Sequence, residues 1–178
     1  MKVWILGAGF SAALGGPLLP DLLAPAPLAA LRAKHSRSWM ADTGSLAVGE
    51  LYSSGINSNL WSDAEAFLAC LTSIESGDEH ANLMVLWTTV AKRYGLHSVP
   101  YPEAESGPPW QFGYDFLRAR VPALVAAQCM EFVQASRAKV ETWLPYERWA
   151  RSLGPEDVVI SFNYDQVVET VFSQVGRP

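Results

Sequence analysis

Residues 2–11, KVWILGAGFS, open with an apolar run that stops at a glycine pair. Lys2-Val3-Trp4-Ile5-Leu6 is short, apolar and bounded by Gly7, the pattern of a buried strand. Gly7-Ala8-Gly9 then allows a tight turn in which backbone N–H groups can approach a phosphate. A second stretch has the same build. Asp157 to Phe162 (DVVISF) is apolar, Asn163-Tyr164-Asp165 is a turn, and 166–175 is a short amphipathic helix. Both runs are apolar on both faces and both lead into a turn and a helix. That is the signature of parallel strands in an α/β sheet. Two strands make a marginal sheet. The expectation is therefore a domain truncated at its C-terminus, with the remaining strands beyond residue 178, or a sheet completed by a partner or a second copy.

The chain between the two strands reads as helical. Asp63–Ile74 places Phe67, Leu68, Leu71 and Ile74 at helical spacing, and Glu79–Tyr94 does so with Leu83, Leu86, Trp87 and Val90. Residues 114–136 read as a long helix, kinked or started at Pro122, and 138–152 as another, interrupted near Pro145. Residues 21–34 hold two prolines in DLLAPAPLAALRAK, so they read as a broken helix or an irregular segment. Residues 35–62 read as a long polar loop with one short helix at most. Gly95–Gly113, with four prolines, reads as a loop. The whole is expected to be a single domain over 1–178 with a helical insertion at about 60–152.

Composition narrows the function. Of 178 residues, 49% are apolar and 17% charged, against an average near 25% charged. Such a chain can bury a core and is not disordered throughout. Seven Trp in so weakly charged a chain suggest more apolar surface than one small domain hides, as if part of its cover were missing. The net charge of −5 disfavours nucleic acid or an anionic membrane held by a positive field. No apolar run reaches the ~18 residues of a membrane span. The apolar stretch at the N-terminus stops at Gly7, short of the ~7–15 residues of a signal-peptide core. A cytoplasmic location is the expectation. Cys70 and Cys129 read as buried free thiols, and with no CxxC pair a cysteine zinc site is not expected.

Both turns are candidate sites. With Gly at ~7% of residues, G-x-G arises about once by chance in a chain of this length, so its weight comes from its place after a strand. Ser11 adds a hydroxyl that can reach a phosphate or ribose. The dinucleotide fingerprint is loosely met, with Ala12 for its third glycine, and no acid-ended strand follows ~20 residues on, which disfavours a standard NAD or FAD dehydrogenase. No G-K-[ST] follows, which excludes a P-loop. Asn163 offers a donor and an acceptor. It can orient a water or hold ribose hydroxyls, or it can be a helix N-cap with Gln166 as its capping-box partner. Glu169 has a solvated-face reading. Asp63 and Glu65 are either general-base carboxylates or acids favoured by a helix start.

Together, the strand with GAGFSAALGGPLLPDLL and the segment ISFNYDQVVE resemble the sirtuin-like NAD-consuming proteins of bacteria, many of which serve anti-phage defence. Trp61-Ser62-Asp63-Ala64-Glu65 is similar to a weaker acidic segment between those motifs. The resemblance implies a Rossmann-like α/β domain with a helical insert that cleaves the nicotinamide–ribose bond of NAD. It implies that Gly7, Ala8, Gly9, Phe10, Ser11 and Pro17 line the nucleotide. Asn163 would be the catalytic asparagine orienting the attacking water, and Asp165 would hold the nicotinamide carboxamide. The bond breaks through an oxocarbenium-like state that needs orientation and charge stabilisation rather than a strong nucleophile. NAD is then substrate, no zinc is needed, and protein deacylation falls below hydrolysis. The family's catalytic His follows the Asn-x-Asp helix, whereas His35, His80 and His97 all precede it. The alternative is a nucleotide-binding sensor or interaction module, for NAD or ADP-ribose, without chemistry. Trp87, Trp143 and Trp149 read as core, Trp110-Gln111-Phe112 as a lid over the pocket, and Pro108-Pro109 before it equally as a rigid connector.

Overall fold

The computed structural model describes residues 1–35, 43–72, 78–96 and 109–177. His97 and the prolines at 100, 102 and 108 lie outside the described residues, as do the side chains of His80, Trp110, Gln111 and Phe112. The described chain forms two strands and eight helices. It divides into two compact units, Met1–Leu18 with Ala126–Pro178, and Leu19–Val125. The second unit interrupts the first in sequence, over bounds that differ from the 60–152 read from the pattern. Among the described residues no helix is long and apolar enough to cross a membrane.

The first unit holds both strands, β1 (Val3–Leu6) and β2 (Val158–Ser161). They pair in parallel, with Val3 opposite Val158 and Leu6 opposite Ser161. Asp157 pins the start of the pair. Its Oδ1 accepts from the Lys2 backbone N–H at 2.7 Å and its Oδ2 from the Gly154 N–H at 3.0 Å. The Val158 N–H then donates to the Lys2 carbonyl at 2.9 Å, and at the far end the Phe162 N–H donates to the Leu6 carbonyl at 3.1 Å.

A Rossmann-like parallel sheet is not what forms. Among the described residues these two four-residue strands are the only ones, and the chain between them is helical. A helix satisfies its backbone donors and acceptors within itself, so it offers no edge for a third strand to join. The expectation that both strand faces are buried fails with it. Trp4 turns inward, its ring 5.9 Å from that of Trp149. On the other face Val3, Ile5, Val158, Ile160 and Phe162 are exposed, Ile5 and Phe162 to about 70%. One helical layer covers one face, and the over-apolar composition is partly accounted for by the face it leaves open.

Around the pair stand α1 (Gly9–Ala12), α7 (Val140–Ser152), α8 (Val167–Gln174) and the end of α6 (Pro109–Ser136). Leu14, Val133, Trp143, Tyr146, Ala150, Val167 and Val171 make the buried cluster of this unit. Phe10, Trp149 and Phe172 pack against it. Pro145 does not interrupt α7, whose turns before and after it bury Trp143 and Ala150 against this cluster.

The second unit comprises α2 (Pro25–Lys34), α3 (Thr43–Asn57), α4 (Ala64–Thr72), α5 (Asp78–Arg93) and the first part of α6. Three sequence expectations change here. Residues 21–34 are not broken throughout, since Pro25 sits in the first turn of α2, where its missing N–H costs nothing. Within 35–62, a 15-residue helix replaces the expected loop. Its small residues permit close approach: a side chain at Gly49 would meet Leu28, and one at Gly55 would meet the Trp61 ring at 1.8 Å. Finally, α6 begins at Pro109, not after Gly113, and runs through Pro122. Gly113 lets Trp87 of α5 approach the α6 backbone, and Tyr114 Oη donates to the Leu71 carbonyl at 2.7 Å.

Candidate functional site

The two turns that the sequence singled out meet in the first unit. Each leaves the C-terminal end of its strand, so the parallel pairing of β1 with β2 brings residues 7–11 beside residues 163–165. Ser11 stands at the junction. Its Oγ donates to Asp165 Oδ2 at 2.6 Å and accepts from Asn163 Nδ2 at 3.0 Å. These contacts cross 154 and 152 residues of sequence. Ser11 is 1% exposed, so its hydroxyl is spent inside the protein.

Asp165 is engaged at both oxygens, since Oδ1 accepts from the Val167 N–H at 3.0 Å. This is the local bond that begins α8, and an acid just before a helix start also suits the helix dipole. The capping box expected from Asn163 and Gln166 does not form. The Asn163 amide turns to Ser11 and Gln166 makes no side-chain cap bond, so the capping acceptor is Asp165. Asn163 Oδ1 is buried and has no hydrogen-bond partner among the described residues. A buried polar atom left so costs about 1–3 kcal/mol.

The glycine-rich turn divides into two halves with different roles. The Phe10 N–H closes on the Gly7 carbonyl at 2.8 Å. A side chain added at Gly7 or Gly9 would meet nothing within 4 Å, so the chain's own packing does not require glycine there. Open space over two exposed backbone positions is what close approach of a ligand needs. Gly15 and Gly16, by contrast, serve the fold. Gly15 takes a φ of +89°, and a side chain at Gly16 would meet Ser11 Cβ at 2.9 Å. The Gly16 N–H donates to the Ser11 carbonyl at 3.0 Å, so this second turn walls in Ser11. Pro17 follows it, half-buried. Ala8 is half-buried in the turn itself.

Phe10 points into the core rather than over the turn. Its ring centroid lies 4.9 Å from that of Tyr146 and 5.0 Å from that of Trp149, both edge-on. Tyr146 Oη also donates to the Phe10 carbonyl at 2.6 Å. Burial, and then the charge of Asp165, raise the Tyr146 hydroxyl above its ordinary range. The same causes in the same order push the Cys129 thiol up to about 12, so it stays protonated and inert. Cys129 is the buried free thiol that the sequence suggested, whereas Tyr146 and Gly16 were not singled out by sequence reasoning. Tyr146 lies 136 residues from Phe10 and carries no local signal of the pairing.

The remaining candidates sit in the other unit. Asp63 caps α4, its Oδ1 accepting from the Ala66 N–H at 2.9 Å, and that bond first holds its carboxyl below the usual range. Trp61 is a core residue, its Nε1 donating to the Tyr52 carbonyl at 2.9 Å. A cleft of about 350 Å³ in this unit is lined by Leu28, Glu50, Ser54, Asn57 and Tyr94, with Glu50 paired to Arg93. Among the described residues no group of three His, Cys, Asp or Glu side chains is placed to hold a metal ion. Comparison of the chain with protein-family models, curated proteins and solved structures finds no match.

Proposed function

We propose that the first unit binds NAD at the paired turns and, by its resemblance to sirtuin-like proteins, belongs to an NAD hydrolase of bacterial antiviral defence. The observation that carries this reading is the Ser11–Asn163–Asp165 cluster. Residues from two sequence motifs about 150 positions apart share one hydrogen-bonded group at the C-terminal ends of the paired strands. In this reading the open backbone at Gly7–Gly9 faces the phosphates. Asn163, with its vacant acceptor, meets the nicotinamide ribose or the attacking water. Asp165 keeps further lone pairs on both oxygens for the carboxamide N–H. Catalysis by such a set is orientation and electrostatic stabilisation.

The assay is nicotinamide and ADP-ribose release from NAD, followed by chromatography. Wild type is expected to release both, and Asn163→Ala to release neither while still unfolding cooperatively in urea. Full turnover by a folded Asn163→Ala would remove Asn163 from the chemistry.

A specific observation favours the second reading, binding without turnover. Ser11 is 1% exposed and its hydroxyl bonds to Asp165 within the protein, so part of the cluster is spent on holding itself together rather than offered to a reacting group. Calorimetry separates the two. Heat of binding for both NAD and ADP-ribose, with no product formed, supports a sensor or interaction module.

A further inference from the structure

We propose that Asp165 and Ser11 form a polarity relay that sets which end of the Asn163 amide is left to meet a ligand, making Ser11 a positioning residue rather than a ligand contact. The inference rests on the reading of Asn163 as the ligand-facing group, and it deepens that reading by naming what orients the amide.

The direction of each bond follows from the chemistry of the groups. An ionised carboxylate only accepts, and a serine hydroxyl has one proton. At 2.6 Å from Asp165 Oδ2, the Ser11 O–H therefore donates its hydrogen bond to Asp165. With that proton committed, Ser11 can only accept from Asn163, so the side of the amide 3.0 Å away is its NH₂. Asn163 Oδ1 is then the end left over, and it is the end without a partner among the described residues. The burial of Ser11 and the wall formed by Gly16 keep the hydroxyl from turning elsewhere. The relay thus presents an acceptor, which takes the O–H of a sugar or a water and repels a phosphate oxygen.

The relay predicts its own inversion. Asp165→Asn can keep Oδ1 for the Val167 N–H and so places an NH₂ against Ser11. Ser11 must then accept from this introduced amide and donate to Asn163, whose own amide turns over and offers a donor instead.

The test is NMR on the isotope-labelled full chain, with the Asn163 NH₂ signals assigned by their loss in Asn163→Asp. In wild type these protons are expected to show a nuclear Overhauser contact to Ser11 Hβ and slowed exchange with water. In Asp165→Asn the contact is expected to vanish, and in Ser11→Ala the exchange protection to fall at least about tenfold, with the remaining backbone spectrum folded. Absence of the contact in wild type, or its persistence in folded Asp165→Asn, overturns the relay. The wild-type measurement decides even if a variant does not fold. NAD titration is the second arm, in which Asp165→Asn is expected to bind at least about tenfold more weakly than wild type. If NAD fails to bind wild type while the NMR pattern holds, the proposed function falls and the relay stands.

Discussion

The Tyr146 hydroxyl donates to the Phe10 carbonyl at 2.6 Å, and so ties the middle of α7 to the glycine-rich turn that begins beyond β1. The same tyrosine packs edge-on against the Phe10 ring. One residue therefore anchors both the backbone and the side chain of Phe10, next to the buried Ser11. Tyr146→Phe keeps the ring contact and removes the donor, leaving the Phe10 carbonyl without it. The expected loss is about 1 kcal/mol, the usual net worth of such a bond, read from the urea unfolding midpoint. An unchanged midpoint would show that the anchor is the ring alone.

Acid should loosen the strand pair. Backbone donation from Gly154 and then from Lys2 holds the Asp157 carboxyl below the usual carboxylate range. A folded pKa below the unfolded one means that the contribution is complete above the ordinary value of about 3.9 and is lost as pH falls through the lower, folded value. Asp63, depressed by its helix-capping bond, acts with the same sign. Urea midpoints at about pH 7 and pH 3, on either side of that ordinary value, should fall further for wild type than for Asp157→Asn. Equal falls would remove Asp157 from the acid response.

The glycines should separate into fold and ligand classes. Gly55→Ala puts a methyl into the Trp61 ring and is expected to cost about 1–3 kcal/mol or more, with altered Trp fluorescence. Gly9→Ala puts one into open space and should leave the unfolding midpoint within about 0.5 kcal/mol. If a nucleotide lies over this turn, Gly9→Ala should weaken NAD binding all the same. Unaltered affinity would move the ligand away from Gly9.

The Cys129 thiol should be silent. It is 4% exposed, and its pKa is pushed up to about 12. In a Cys70→Ser background the native protein is expected to give no fast reaction with an aromatic disulfide reagent at about pH 8, near the ordinary thiol pKa, and one thiol equivalent in denaturant. Rapid native reaction would mean that the cluster around Asp165 opens readily.

Much of the helical pattern was legible because it is local. Phe67 and Leu71 recur at helical spacing and are both buried in α4. Trp87 and Trp143 are core residues, as their place in helical segments implied, while Trp149 packs at the edge of its cluster. What escaped was α3, whose Gly44, Ser45, Gly49 and Gly55 look like loop residues and are buried in a helix. The smallness of Gly49 and Gly55 is explained by neighbours, Leu28 and Trp61, that no short local pattern reveals. The number of strands escaped for a related reason. An apolar run states that a strand is possible, and says nothing of how many partners it finds or how many of its faces are covered.

That two apolar strands each run into a polar turn, and which residues those turns carry, is written along the chain. Short-range periodicity and the conformational demands of glycine are properties of neighbouring residues, so they can be read along the chain. Folding in three dimensions settles that β1 pairs with β2 and with no other described strand, that Ser11 is enclosed rather than offered to a ligand, and that Asn163 is turned by Ser11 instead of capping α8. The reason is reach. A hydrogen bond acts over about 3 Å, and the groups it joins here are separated by more than 150 residues of chain.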